Sequence, residues 1–253
     1  MKRLIVFVTC QRTGSSISAE IFYRHGMSLG PFPFLAAAPE NPLGLCEAMP
    51  VFRIDHALHR LVYGFDEDAI PYDRAGRIMA DRPLQCPTIQ DVPSDLIEQG
   101  KTFITQLTDS APVSGFKHPA SILFRFYWEH VFSSISDLEI APVFLIRSPS
   151  GVAASYARRA KRPEVESAMF DLIGIYLDRM LELHRSFQGI KPIVRFSEEY
   201  YRDDLKNAIE ACGMAWDAEM FRQCYKPSAT VAVDKPVDHP VEDLYRRFLA
   251  LCR

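Results

Sequence analysis

The sequence predicts an α/β fold, a single domain with a central parallel sheet flanked by helices in three layers, and three observations carry that expectation. The apolar run Leu4 to Val8 ends in a polar Gly/Ser turn, TCQRTGSS at 9–16. A second apolar run, 143–146, ends in Arg147, Ser148 and Pro149. Helical periodicity follows both runs, the alternation that βαβ crossovers require. With 253 residues, 48% hydrophobic and 24% charged, the chain can bury one large core and is read as a single domain over 1–253.

Taken in order, the strand 4–8 leads to a helix over 16–27, with apolar Ile17, Ile21 and Phe22 on one face. A loop is expected over 26–50 and a helix over 51–62. Residues 63–100 mix acids with Pro83, Pro87, Pro93, Gly64, Gly76 and Gly100, and read as irregular. The span 30–100 is therefore taken as a substrate-specificity insertion. Regular structure resumes with a short strand at 112–116, a helix near 121–132, a strand at 141–146 and a helix through Tyr156. A long amphipathic helix at 168–187, a strand at 192–196 and a helix at 201–212 stopped by Gly213 complete the pattern.

Net charge is −3, which leaves no electrostatic footprint for nucleic acid, and the first apolar run is too short for a membrane span. The six cysteines, at 10, 46, 86, 212, 224 and 252, are scattered without C-x-x-C pairs, so reduced thiols in a cytoplasm are expected. His56 and His59 have i, i+3 spacing but no third ligand nearby, and read as a solvated helix face rather than a metal site.

A turn between strand and helix is an anion-binding arrangement. Backbone N–H groups converge at the helix N-terminus, Gly14 permits close approach, Gln11, Thr13, Ser15 and Ser16 add polar groups, and Arg12 adds a planar cation. Against the Walker A pattern, Thr9 replaces the first Gly and Ser15 stands where the phosphate-binding Lys belongs. The loop is a modified P-loop, and the architecture expected is that of P-loop-containing nucleotide hydrolases. The missing Lys weakens an ATP reading, with Arg12 able to restore charge in another geometry. The second motif, RSPSGVAAS at 147–155, puts Arg147 at a strand end, Ser148 at an N-cap, Pro149 in the first turn, and Ser155 about two helical turns on. Both motifs belong at the carboxyl ends of parallel strands, where one crevice holds the ligand.

Together these motifs resemble the sulfotransferase family, whose 5′-phosphosulfate loop is similar to 9–16 and whose 3′-phosphate motif, Arg-x-Pro-x-x-x-x-x-Ser, matches Arg147, Pro149 and Ser155. NPLGLCE at 41–47 looks like the N-x-x-G-x-x-E stretch of bacterial and carbohydrate-type members, and FKHP at 116–119 looks like their K-D-P strand end with His118 replacing Asp. The glycine-rich adenosine motif of the cytosolic subclass is not recognised. The resemblance implies 3′-phosphoadenosine 5′-phosphosulfate (PAPS) as donor, a small-molecule or carbohydrate acceptor, and Arg147 and Ser155 on the 3′-phosphate.

Sulfuryl transfer to a hydroxyl is expected to proceed in line and without metal, with Arg12, Ser15, Ser16 and loop amides stabilising the leaving phosphate. Glu47, His118 and Glu40 compete for the base, Glu47 ranking first because it closes the 41–47 motif. Strand alternation sends Lys117 and His118 opposite ways, so one of them is expected to face the cleft, with Lys117 near the bridging oxygen or the acceptor. Phe32, Phe34, Phe52 and Tyr63 serve either an acceptor pocket or the core, and Arg195, Phe196 and Tyr200 stay unassigned. Lys226, Lys235 and His239 read as a charged Pro-rich loop. A P-loop kinase using ATP and Mg²⁺ and a catalytically inactive nucleotide-binding paralogue are the alternative functions.

Overall fold

β1 (Lys2–Thr9) alternates its buried side chains between two faces, and that alternation organises the chain. Leu4 and Val8 enter one apolar cluster, Ile5 and Phe7 the other. The computed structural model describes residues 2–36, 46–65, 72–81, 88–162, 165, 167–225 and 235–252. Glu40, residues 41–45 of the NPLGLCE motif, Cys86 and Lys226 lie outside the described residues.

Among the described residues, four strands form a parallel sheet in the order β2-β1-β3-β4, with β2 at Val113–Lys117, β3 at Leu138–Ile146 and β4 at Ile193–Arg195. Phe144 and Ile146 join Leu4 and Val8, whereas Val143 and Leu145 join Ile5 and Phe7. The first face is covered by α2 (Met49–Tyr63), α4 (Ser94–Asp109), α5 (Arg125–Ser133), α7 (Met169–Ser186) and α10 (Val241–Leu249). The second is covered by α1 (Ser15–Arg24), α8 (Tyr201–Ala211) and α9 (Ala218–Cys224). The three layers are those expected. α3 (Tyr72–Asp81) lies against α7, and α6 (Pro149–Ala160) follows β3. Among the described residues no helix is long and apolar enough to cross a membrane.

Four differences from the sequence reading stand out. α4 runs through Gly100, the end of the span that the sequence marks as irregular. The position is occupied from outside, because a Cβ at Gly100 would sit 2.2 Å from the Tyr127 hydroxyl, and that hydroxyl donates to the Leu96 carbonyl at 2.6 Å. β3 begins at Leu138, three residues before the expected start, and carries Pro142 inside the expected span. The Phe144 N–H donates to Pro192 on the β4 side, so the nitrogen two residues earlier points the same way, past the end of short β4, where no ladder bond is required. The C-terminal Pro-rich stretch leads into α10, whose Val241 and Phe248 are buried. Helix 121–132 also resolves into a 3₁₀ turn, Pro119–Phe124, followed by α5.

Helix propensity favours Ala over Gly by about 1 kcal/mol, yet Gly100→Ala is expected to destabilise the fold. The fully buried Tyr127 hydroxyl cannot retreat without losing its carbonyl, so overpacking of about 1–3 kcal/mol wins. Urea unfolding of the variant against the parent checks the sign.

Candidate functional site

The carboxyl ends of β1, β2 and β3 finish at one level, since Phe7 pairs with Lys117 and Thr9 with Leu145. Each strand then delivers one part of the site. β1 gives the turn 10–14 and the N-terminus of α1, β2 gives Lys117 and His118, and β3 gives Arg147 and α6.

The turn after β1 is tightly determined. Thr9 and Thr13 hydroxyls bond to each other, and Thr13 also donates to the Cys10 carbonyl at 2.8 Å. Thr13 is thus buried inside the loop as a staple, and what it can offer a ligand is its backbone. Arg12 and Gly14 adopt left-handed conformations at φ 65° and 81°. Gly14 is the N-cap of α1 and supplies no side-chain cap, so the first-turn amides are presented outward. Beneath it lies Phe196, whose ring would be 2.2 Å from a Cβ at Gly14. The ring, unassigned from sequence, is a core residue that seats the loop.

The second motif folds onto the first. Ser148 caps α6 through the Gly151 N–H, with Pro149 in the first turn as expected. The Arg147 guanidinium stands 5.4 Å from the centroid of the Phe196 ring and donates to the Arg12 carbonyl at 3.2 Å. Arg12 Nε in turn donates to the Ser155 hydroxyl at 3.1 Å. Residues 135 and 143 positions apart are thereby joined at one spot.

Beside them opens a cavity of about 320 Å³ lined by Gln11, Arg12, Ser15, Ser16, Lys117, His118 and Glu47, together with Phe52, His56 and Arg159. Gln11 is fixed by the Tyr176 hydroxyl at 3.0 Å. Glu47 and Lys117 form a buried ion pair, and Lys117 Nζ lies 3.4 Å from the Ser16 hydroxyl. Lys117 and His118 both line the cavity, contrary to strand alternation. The reason is that β2 ends at Lys117, and His118 is already the residue that turns the chain into the Pro119 3₁₀ segment. A second cavity, about 180 Å³ between α5 and the sheet, is lined mainly by apolar groups. Its cation, Arg125, is paired with Glu129 at 2.6 Å, so an anion is better served by the first.

One buried carboxylate beside the cavity escaped the sequence reading. Asp55 of α2 is fully buried, lies 2.7 Å from His118 Nδ1, and accepts from Trp128 Nε1 at 2.9 Å and from the Ser121 hydroxyl. Its partners lie 63 to 73 positions away, and no local pattern marks it. His59, expected on a solvated face, is instead a core residue 1% exposed, with Nδ1 2.9 Å from the Phe65 carbonyl oxygen. The α2 face that carries Asp55 and His59 packs over Pro119–Phe124 rather than into water. Among the described residues no three His, Cys, Asp or Glu side chains converge as a metal site. Burial pushes the Cys46 thiol up to about 11, which removes it as a thiolate nucleophile near neutral pH. Lys235 donates its N–H to Ser150 at the start of α6, and His239 faces Asp171, so neither lines the cavity.

No protein-family model matches the chain, and no curated protein sequence matches it significantly. Solved structures share its architecture, among them two sulfotransferase domains. The sulfotransferase domain from the Synechococcus PCC 7002 olefin synthase superposes with a TM-score of 0.52 at 17% identity, over 98% of this chain and 88% of that one. The sulfotransferase domain from the curacin biosynthetic pathway gives 0.54 at 10% identity, over 99% and 97%. The likeness at these identities is one of fold, and it agrees with the motif resemblance read from 9–16 and 147–155.

Gly14→Ala is expected to cost about 2–4 kcal/mol, combining left-handed strain with collision against Phe196. Thermal unfolding of this variant beside Gly26→Ala separates the two causes. Gly26 has φ 107° and nothing within 4 Å of a Cβ, so its variant meets strain alone.

Proposed function

We propose that this chain, which has the fold of sulfotransferase domains, transfers a sulfuryl group from PAPS to a hydroxyl of a small molecule or carbohydrate. The observation that supports the reading most is the junction of the two anion motifs, Arg147 on the Arg12 carbonyl and Arg12 on Ser155, beside one cavity. The residues present fit a donor with two anionic ends. An uncapped α1 N-terminus, Arg12, Ser15 and Ser16 would hold the 5′-phosphosulfate, and Arg147 and Ser155 the 3′-phosphate. Bound there, PAPS would supply an activated sulfuryl group on a phosphate leaving group.

The rest of the chemistry falls to the chain. Lys117, held by Glu47 and close to Ser16, presents its ammonium to charge developing at the bridging oxygen. His118 takes the acceptor proton through Nε2, because Nδ1 is committed to Asp55. Glu47, ranked first from sequence, is here the counter-ion of Lys117, and its carboxylate is the less available base. Phe52 and His56, 4.0 Å apart between centroids, form the wall on which an acceptor would rest. Both come from the span 30–100 read as the specificity insertion, and Leu35 and Ala36 add to it.

Calorimetry with 3′,5′-adenosine bisphosphate in metal-free buffer tests the reading. Tight binding is expected, weakened about 10- to 100-fold in Arg147→Ala, as loss of a charge-assisted contact predicts. Absence of binding, or preference for Mg-ATP, would overturn it. With an acceptor in hand, His118→Ala is expected to lower kcat about 10²- to 10⁴-fold and leave bisphosphate affinity intact. If Glu47→Ala does this and His118→Ala does not, the base is Glu47.

A further inference from the structure

We propose that Asp55 is a positioning residue that fixes His118 in the Nδ1–H tautomer and stabilises its protonated form, with Ser121 and Trp128 holding the carboxylate in place. The catalytic part of this inference rests on the proposed sulfuryl transfer; the tautomer does not.

Burying a carboxylate costs several kcal/mol unless it is paired and hydrogen-bonded. Asp55 is 0% exposed and has three hydrogen-bond partners, and two of them, the Trp128 indole and the Ser121 hydroxyl, are neutral donors. Those two satisfy the oxygens without supplying a counter-charge. The third, His118 Nδ1 at 2.7 Å, is the contact that can acquire positive charge. A carboxylate accepts only, so while Asp55 is ionised Nδ1 must carry the hydrogen, and the Nε2 lone pair is the basic position of the ring. The His118 side chain is itself buried and lines the cavity that also holds Lys117 and Ser16.

The transfer step then balances. The acceptor oxygen bonds to sulfur, its proton passes to Nε2, and the electron pair of the broken sulfur–oxygen bond leaves on the phosphate. The imidazolium so formed lies against the buried carboxylate, in the low-dielectric setting where that attraction is strongest. Other charged or titratable groups near the ring are His56 of α2, 6.3 Å away between centroids, Lys117 of β2 with its partner Glu47, and Arg12 and Arg159 in the lining of the same cavity. The cations among them oppose protonation of His118, which makes the Asp55 contribution the more necessary. The logic is that of an Asp-His pair in acyl transfer, with the acceptor hydroxyl in the nucleophile's place.

Nitrogen-15 NMR of the histidine rings tests this in the intact wild-type protein, the His118 signals being assigned by their loss in His118→Gln. A neutral Nδ1–H ring is expected; a neutral Nε2–H ring would overturn the proposal. In Asp55→Asn the amide can donate to Nδ1, so the tautomer is expected to invert. The variant's kcat should fall 100-fold or more, while bisphosphate affinity and donor KM stay within about threefold of wild type. A folded Asp55→Asn protein with wild-type kcat would overturn the positioning role. Failure to bind the bisphosphate at all would count against sulfuryl transfer and leave the tautomer result standing.

Discussion

Parallel pairing of β1 with β2 on one side and β3 on the other is the constraint on which the site depends. Parallel strands require crossovers, and each crossover here returns the chain to the same end of the sheet. The register from Phe7–Lys117 to Thr9–Leu145 then decides which side chains meet. A slip of one residue in β2 would exchange the faces of Phe116 and Lys117, placing an ammonium in the core and a phenyl ring in the cavity. The sheet fixes this register through burial on both faces, so packing of residues such as Phe116 and Phe144 specifies the chemistry several ångströms away.

The buried charges are costly choices for a fold. Glu47–Lys117 and the Asp55 cluster each remove ionisable groups from water, and hydrophobic replacements of similar volume are often at least as stable. Lys117 and Glu47 line the cavity at the strand ends and Asp55 stands against His118 in the same lining, whereas the clusters above and below the sheet are apolar. Concentration of desolvated charge at one place is what electrostatic preorganisation requires, because donors already oriented need no rearrangement when charge develops.

The fold was largely legible because its signals are local. Apolar runs that end in 9–16 and 147–149 mark strand ends, and the Ser148–Pro149 cap fixes the start of α6 from two adjacent residues. The residues proposed for the donor are local in the same way, since turn, helix N-terminus and Arg-x-Pro spacing all lie within short windows. The misses share one cause, which is tertiary contact. Gly100 is helical because Tyr127 fills the space above it, and His59 is buried because the α2 face packs on a 3₁₀ turn. Asp55 is marked by three partners that the chain brings back only after folding.

The same distinction explains the missing P-loop lysine. Read along the chain, Ser15 in the Walker position looks like lost positive charge that Arg12 alone must restore. In space a lysine is present, 101 positions away from Ser16, with its Nζ 3.4 Å from the Ser16 hydroxyl. It comes from the adjacent strand and is held by Glu47, so it reaches the loop from the side. A P-loop lysine rides on the turn that wraps the phosphates, where it neutralises a highly charged chain of them. A lysine anchored on a neighbouring strand and balanced by a carboxylate adds little net charge and a fixed direction. That suits a transferring group with a single negative charge, for which orientation matters more than neutralisation. Relocation of the cation from turn to strand end is therefore consistent with the change of chemistry proposed for this cleft.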